Sequence, residues 1–275
     1  MTATTNSSLR LRRLLLTGAA GNLGRELRPR LKAYCETLRL SHRAEMGAAG
    51  PGEEVVIAAL EDKAAMQALL KGVDAVVHMG GVSTEKTWES ILGANIVGMV
   101  NLYEAARANG VKRIVFASSN HVTGFYRQDQ LVSPQDPVRP DGFYGLSKAF
   151  GENLAQLYWN RHGIETVSLR IGSSYAEPKD RRMLATWMSF DDTERLIVAA
   201  LSAPVVGHSI IYGMSDNSTA WWDNSSARHI GYRPKDSSEQ FRAAVEARQP
   251  TIDPTQAAAA HQGGAFVTQG PYFED

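Results

Sequence analysis

Tyr144-Gly145-Leu146-Ser147-Lys148 holds a phenol and an ammonium four positions apart. On a helix, side chains at i and i+4 share a face, so the two groups lie side by side. A free tyrosine titrates near ~10 and is a poor base at neutral pH, whereas a nearby ammonium and the positive ring of an oxidised organic hydride acceptor both favour its phenolate. Such a phenolate can take the proton of a substrate hydroxyl while hydride leaves the adjacent carbon for an organic acceptor. Upstream, Ser118-Ser119-Asn120-His121 closes a predicted strand, and Ser119 can hold the reacting oxygen. Each piece alone is ordinary, since Tyr–Lys pairs are common at helical spacing and Ser-Ser-Asn often turns a strand. Their order behind a glycine-rich turn is what points to dehydrogenase chemistry.

That turn is Thr17-Gly18-Ala19-Ala20-Gly21-Asn22-Leu23-Gly24, which follows the first predicted strand and opens the first predicted helix. Gly18 permits a tight turn, Gly21 lets the backbone approach a pyrophosphate, and Gly24 removes a side chain where helix meets strand. Asn22 and Leu23 belong to the helix N-terminus, whose free N–H groups and positive dipole end suit an anion. The expected cofactor is NAD or NADP. NAD sites place a carboxylate after the second strand to grip the ribose hydroxyls, but here the strand ends Leu40-Ser41-His42-Arg43. Ser41, His42 and Arg43 suit a 2′-phosphate, so the cofactor reading shifts toward NADP.

The elements that must position these residues follow from hydrophobic periodicity. Strands are expected over 13–17, 38–40, 55–58, 75–78, 113–118, 166–170 and, late in the chain, 209–212. Helices are expected over 23–34, 62–71, 91–109, 144–161, 191–201 and 238–248. Alternation of this kind implies βαβ units and a parallel sheet, hence an α/β fold of Rossmann-type doubly wound topology. Beyond Arg170 the pattern grows irregular, with Pro178, Pro204, Pro234, Pro250 and Pro254 punctuating it. One domain over residues 1–275 is expected, in which about 171–275 form a small substrate-facing elaboration.

Composition excludes several function classes. Lys plus Arg and Asp plus Glu each number 29, so no overall field favours nucleic acid or a membrane surface. Cys35 is the only cysteine, which rules out an intramolecular disulfide or a thiolate metal cluster and suits a reducing cytoplasm. No apolar run approaches the ~20 residues that span a bilayer. Residues 1–8 read as a loose polar leader, and the basic run 10–13 as a solvated lead-in to the first strand. His78 reads as structural, since no second ligand at metal spacing accompanies it; Trp221 and Trp222 read as packing residues.

With TGAAGNLG and YGLSK in place, the chain resembles the extended short-chain dehydrogenase/reductase family, whose motifs are TGxxGxxG and YxxxK. The stretches HMGGVSTEKTWESILGANI, FASSNHVTGFY, RPDGFYGLSKAFGENLA, LRIGSSYAEPKDRRMLATW, WWDNSS and GGAFV narrow the resemblance to the uronate dehydrogenases. It implies oxidation of the anomeric carbon of glucuronate or galacturonate to an aldarolactone. Tyr144 would be the base, Lys148 would hold the nicotinamide ribose, and Ser119 would position the anomeric oxygen. Ser83, Asn120, His121 and Ser173 would line the sugar, Arg182 would pair with its carboxylate, and Phe266 would cover the site. Further cofactor contacts would fall at Ala59, Leu60, Gly80, Asn95 and Ile171. The chain departs from the family pattern at the acidic ribose position, occupied by His42, and at an expected Asp that is Ala59; both changes favour NADP. The implied partner is a small sugar acid, with a homo-oligomeric assembly and no nucleic acid or membrane. Two alternatives share the motifs: a nucleotide-sugar epimerase or dehydratase, and a non-catalytic dinucleotide sensor.

Overall fold

Leu14, Leu15 and Leu16 are consecutive and all sealed from solvent. Successive strand side chains point to opposite faces, so such a run requires cover on both sides of the sheet. The computed structural model, which describes residues 9–249, 253, 255–270 and 272, shows that arrangement. The leader expected over residues 1–8, together with Pro250 and Pro254, lies outside the described residues.

The strands are β1 (Leu11–Thr17), β2 (Cys35–His42), β3 (Glu53–Ile57), β4 (Ala75–His78), β5 (Arg113–Ser119), β6 (Glu165–Ile171), β7 (Ser173–Ser174), β8 (Trp187–Met188) and β9 (His208–Gly213). Seven of them form one sheet in the order β3-β2-β1-β4-β5-β6-β9, every neighbouring pair parallel. Helices α1 (Asn22–Leu31), α2 (Lys63–Leu69), α3 (Trp88–Ile91), α4 (Gly98–Asn109), α5 (Phe143–His162), α6 (Met183–Thr186), α7 (Phe190–Ser202) and α8 (Arg242–Arg248) complete the frame. Leu27 and Leu31 of α1 share a core with Leu196, Ile197 and Ala200 of α7 on one face of the sheet. Met66, Leu102, Tyr103, Leu154 and Tyr158, from α2, α4 and α5, fill the other. The architecture is the doubly wound Rossmann-type fold expected from the alternation.

Three departures have local causes. The expected helix 91–109 is broken: α3 runs into a π-helical stretch, Leu92–Val97, before α4 resumes regular geometry. Periodicity over a long window does not register one wide turn, yet such turns gather at functional sites. The expected first helix ends three residues early, in a 3-10 turn over Lys32–Tyr34. The elaboration is also more integral than its prolines suggest, because β9 extends the main sheet and α7 packs on α1, tied by Arg30 to Asp191 and Glu194. Trp221 and Trp222 pack with Val132, Ala185 and Tyr212, the second stacked on Tyr212 at 4.8 Å. Among the described residues no helix is long and apolar enough to cross a membrane.

Strand register brings the chemistry to one edge. Thr17 pairs with Ser41 and His78, and Ser119 pairs with Ile171, so the loops following β1, β2, β4, β5 and β6 emerge together at the C-terminal edge, where open parallel sheets bind ligands. Beneath that edge lies a polar network invisible to hydrophobic patterning. Arg170 on β6 is 1% exposed and donates through Nε and Nη2 to the two oxygens of Glu152 on α5, both at 2.9 Å. Ser118 on β5 adds a bond to the same carboxylate at 2.6 Å, and Arg170 reaches the Tyr212 hydroxyl on β9 at 3.2 Å. Removing one member of a buried pair strands the other charge, which costs about 3–5 kcal/mol, whereas replacing both with apolar groups costs far less. Urea unfolding of Arg170→Met is expected to show that loss, and Arg170→Met with Glu152→Leu to recover most of it; an unchanged midpoint for the single variant overturns the assignment.

Candidate active site

The glycine turn has no room for other residues at its key points. Gly18 has φ +70°, and a Cβ there would lie 2.6 Å from the Met79 carbonyl carbon. A Cβ on Gly24 would lie 2.1 Å from the Gly18 oxygen, so only glycine lets α1 start against the turn. Helix α1 has no side-chain cap and no acid in its first turn. The N–H groups of Asn22, Leu23 and Gly24 are therefore left for an anion, as a dinucleotide pyrophosphate requires. Gly80 stands beside this loop, where a Cβ would meet Thr17 Oγ1 at 3.1 Å and Leu60 at 3.3 Å. Ile171 ends β6 next to Ser119.

At the other end of this cleft, the Ser41 carbonyl receives the Ala19 N–H at 3.1 Å, which fixes the end of β2 to the turn. His42 is half-buried, and burial, then Arg43, then Arg25 hold its imidazolium below the ordinary pKa. Arg43 and Arg25 are exposed and form no ion pair among the described residues. Ala59 is exposed and offers no carboxylate to oppose them. Arg25, in the first turn of α1, is the member of this cationic group that sequence reasoning missed; it follows the last glycine of the turn directly.

Asn95 lies in the π-helical stretch and is held through both ends of its amide. Its oxygen accepts from Val82 N–H at 2.8 Å, and its nitrogen donates to the Val82 carbonyl at 3.0 Å and to Ser147 Oγ at 2.9 Å. The side chain thus joins the loop after β4 to α5.

Tyr144 opens α5, one turn before Lys148, and both are buried. Lys148 Nζ donates to the Ala117 carbonyl at 2.8 Å and sits 5.7 Å from the centre of the Tyr144 ring. Burial lowers the Lys148 pKa to about 8. Burial also pushes the Tyr144 phenol up to about 12, with a hydrogen bond to Ser119 pulling down and Asp141 pushing up. In a sealed site desolvation outweighs an ammonium at this distance, so of the two cations expected to favour the phenolate, Lys148 and an oxidised nicotinamide ring, the first does not suffice by itself. His78 is buried and neutral, its Nδ1 2.7 Å from Thr17 Oγ1, in keeping with a structural part.

The residues expected around a sugar acid converge beyond Ser119. Arg182 Nε donates to the Gln262 carbonyl at 2.6 Å and Nη1 reaches Ser173 Oγ at 3.4 Å. With the Asn120 amide oriented to satisfy its neighbours, its oxygen accepts from Arg182 Nη2 at 2.7 Å and its nitrogen donates to the Ile171 carbonyl at 3.1 Å. His121 stacks on Phe266 at 3.8 Å and meets the Tyr144 ring edge-on at 5.8 Å. Ser83 is exposed on the loop after β4. Two positioning acids carried no sequence signal. Glu85 accepts from the backbone N–H of Phe143 at 3.0 Å and of Tyr144 at 2.8 Å, capping α5 from a distant loop. Asp141 is sealed and bonds His121 Nδ1 at 2.6 Å.

A family model described as the NAD dependent epimerase/dehydratase family matches residues 14–203. The chain is 59% identical to a uronate dehydrogenase of Pseudomonas putida over 94% of this chain and 97% of that protein. It is 50% identical to the uronate dehydrogenase of Agrobacterium fabrum, over 96% and 99% of the two chains. The structure superimposes with a TM-score of 0.94 on a variant uronate dehydrogenase from Agrobacterium tumefaciens solved with NAD, at 48% identity over 96% of this chain and all of that one. A nucleotide-binding turn with no room for side chains, a Ser–Tyr–Lys cluster at the sheet edge, and these relatives place the chain in the NAD dependent epimerase/dehydratase family, in which it groups with the uronate dehydrogenases.

Proposed function

We propose that the chain oxidises the anomeric carbon of glucuronate or galacturonate to an aldarolactone, with hydride passing to NAD(P). The observation that carries the substrate class is Arg182. Its guanidinium is partly buried within the cleft, burial lowers its pKa, and among the described residues it pairs with no carboxylate. Asp180 and Asp141 act on it only from a distance and do not outweigh its burial; a substrate carboxylate bound through parallel charge-assisted hydrogen bonds relieves the remaining cost. The uronate dehydrogenases among its relatives support the same reading.

The dinucleotide, when bound, supplies the hydride acceptor and a cationic ring that favours a phenolate nearby. Gly18, Gly21 and Gly24, with the α1 N-terminus, would hold its pyrophosphate, and Lys148 its nicotinamide ribose. Ser119 and Tyr144, hydrogen-bonded to each other, receive the anomeric oxygen, and Tyr144 takes its proton as C1 is oxidised. Asn120, Ser173 and Gln262 fix the Arg182 fork, while Phe266 and His121 wall the ring. A nucleotide-sugar epimerase would share the turn and the Tyr–Lys pair, but it has no use for an arginine that no carboxylate contacts directly and that is placed for a free carboxylate. The single half-buried Cys35 suits a cytoplasmic setting. Exposed Val100 on α4 and Leu146 and Leu157 on α5 favour self-association.

Mixing the protein with glucuronate or galacturonate and either cofactor is expected to produce reduced-nicotinamide absorbance, and none with either cofactor overturns the reading. Tyr144→Phe should lower kcat by about 10²–10⁴-fold with cofactor binding retained. Arg182→Ala should lower kcat/KM for uronates by roughly 10²-fold while leaving the slow turnover of neutral hexoses unchanged; equal losses for both substrate classes would argue against a carboxylate contact. For the cofactor, Ser41, His42, Arg43 and Arg25 favour a 2′-phosphate. Arg25→Ala with Arg43→Ala should weaken calorimetric binding of 2′,5′-ADP by about tenfold or more and leave 5′-AMP unaffected; equal binding by parent and variant would show that these arginines do not contact the phosphate.

A further inference from the structure

His121 and Asp141 form a buried pair that proton abstraction by Tyr144 does not use. Asp141 is fully sealed and its Oδ2 lies 2.6 Å from His121 Nδ1, whereas its Oδ1 has no hydrogen-bond partner at all. No arginine or lysine pairs with it among the described residues. Three glycines from three separate segments make room for it. A Cβ would fall 1.9 Å from Oδ2 at Gly124, 2.1 Å from Oδ2 at Gly263, and 3.1 Å from Oδ1 at Gly145. A carboxylate carried this far from water with one oxygen orphaned is expensive. A merely structural partner for histidine would be served as well by a backbone carbonyl.

What the carboxylate does is fix the imidazole. With an acceptor at Nδ1, the neutral ring carries its proton there, and Nε2 keeps a lone pair. Nε2 bonds no protein group among the described residues, and it is not among the sealed polar atoms. Stacking on Phe266 and the edge contact with Tyr144 set the plane of the ring. The charged and titratable groups facing His121 are Asp141 ahead of α5, Tyr144 on α5, Arg182 ahead of α6 and Glu85 on the loop after β4. Burial is the largest influence and keeps the ring neutral, against the pull of Asp141.

We propose that Asp141 is a positioning residue for the sugar: it locks His121 as the Nδ1–H tautomer, so that Nε2 accepts a hydrogen bond from one ring hydroxyl and makes the site selective for that hydroxyl. The pocket then reads a sugar acid at two points of opposite character. Arg182 donates to the carboxylate, and His121 accepts from an alcohol. A site built to bond a hydroxyl rejects analogues that lack it, because its own polar atom is left unpaired. The inference rests on the sugar-acid reading for the identity of the ligand, but the tautomer does not.

Two measurements separate them. Histidine ¹⁵N spectra of the unliganded full chain, assigned by loss of the signal in His121→Gln, should show a pyrrole-type Nδ1 and a pyridine-type Nε2 at neutral pH; a protonated Nε2 overturns the proposal whatever the enzyme oxidises. Kinetics with monodeoxy uronates should then show one ring position whose removal costs the parent roughly tenfold in kcat/KM, and Asp141→Asn should abolish that penalty at that position only. The acid limb of the parent profile, where His121 gains a proton and ceases to accept, should move to lower pH in Asp141→Asn, because losing the carboxylate makes the ring less basic. A penalty unchanged at every ring position, or an acid limb that does not move, would leave Asp141 no part in reading the sugar.

Discussion

Helix α5 can deliver its chemistry only by lying unusually close to strand β5. A Cβ on Gly145 would fall 2.3 Å from the His121 carbonyl, and one on Gly151 would fall 2.7 Å from the Phe116 ring. Both helix positions are glycine because the helix touches the backbone after β5 at one level and a β5 side chain at the next. This approach puts Lys148 Nζ on the Ala117 carbonyl and brings the Tyr144 hydroxyl to Ser119. Glu85 at the N-terminus and the Glu152–Arg170 pair at mid-helix hold the helix in place at two levels. A tyrosine proposed as the base needs that fixity, since misplacement by an ångström is enough to cost orders of magnitude in rate.

The same closeness creates the electrostatic problem that the site must solve. Tyr144 and Lys148 are both desolvated, so the phenol is harder to ionise and the ammonium easier to neutralise. Neither shift helps proton abstraction before substrate arrives. The protein's own remedies are local: the Ser119 hydroxyl bonds the phenol, and α5 points its positive end toward Tyr144. Glu85 offsets part of that dipole because it must cap the same helix. On the proposed function, a further positive charge near the phenol would come with the bound dinucleotide, which would couple base strength to cofactor occupancy.

How much of this was legible in sequence follows from distance along the chain. The glycine turn, the Ser119 strand end and the Tyr144–Lys148 spacing are local patterns, and the alternation that sets strand order is local too; all stood out from the residues. Ser173, Asn120 and Arg182, taken from family resemblance, do come together around one guanidinium. Glu85 and Asp141 did not stand out, because a lone carboxylate in a loop looks the same whether it faces water or caps a helix 58 residues away. Arg170 and Glu152 sit in stretches that pattern reading assigns to a strand and a helix, and burial of both could be recognised only once β6 and α5 were in contact. The Tyr144 environment was only half legible for a related reason: spacing reveals the neighbouring ammonium but not the loss of water.

The C-terminal segment shows the same dependence on distant partners in its sharpest form. Gln262 is completely buried, and each of its polar groups is used. Its side-chain nitrogen donates to the carbonyls of Arg127 and Gln130, its side-chain oxygen accepts from Trp222, and its backbone binds Tyr126 and Arg182. The tail is thus rooted in the molecule before it reaches Phe266. Gly264 follows at φ +63°, and a Cβ there would fall 2.6 Å from Arg182 Cδ. Arg182 therefore owes its direction to a carbonyl and its space to a glycine of the same short segment. The tail's two contributions cannot be separated: the residues that bring Phe266 beside His121 also aim the cation proposed to receive a carboxylate, so the proposed cover and charge recognition would arise together from one packed turn.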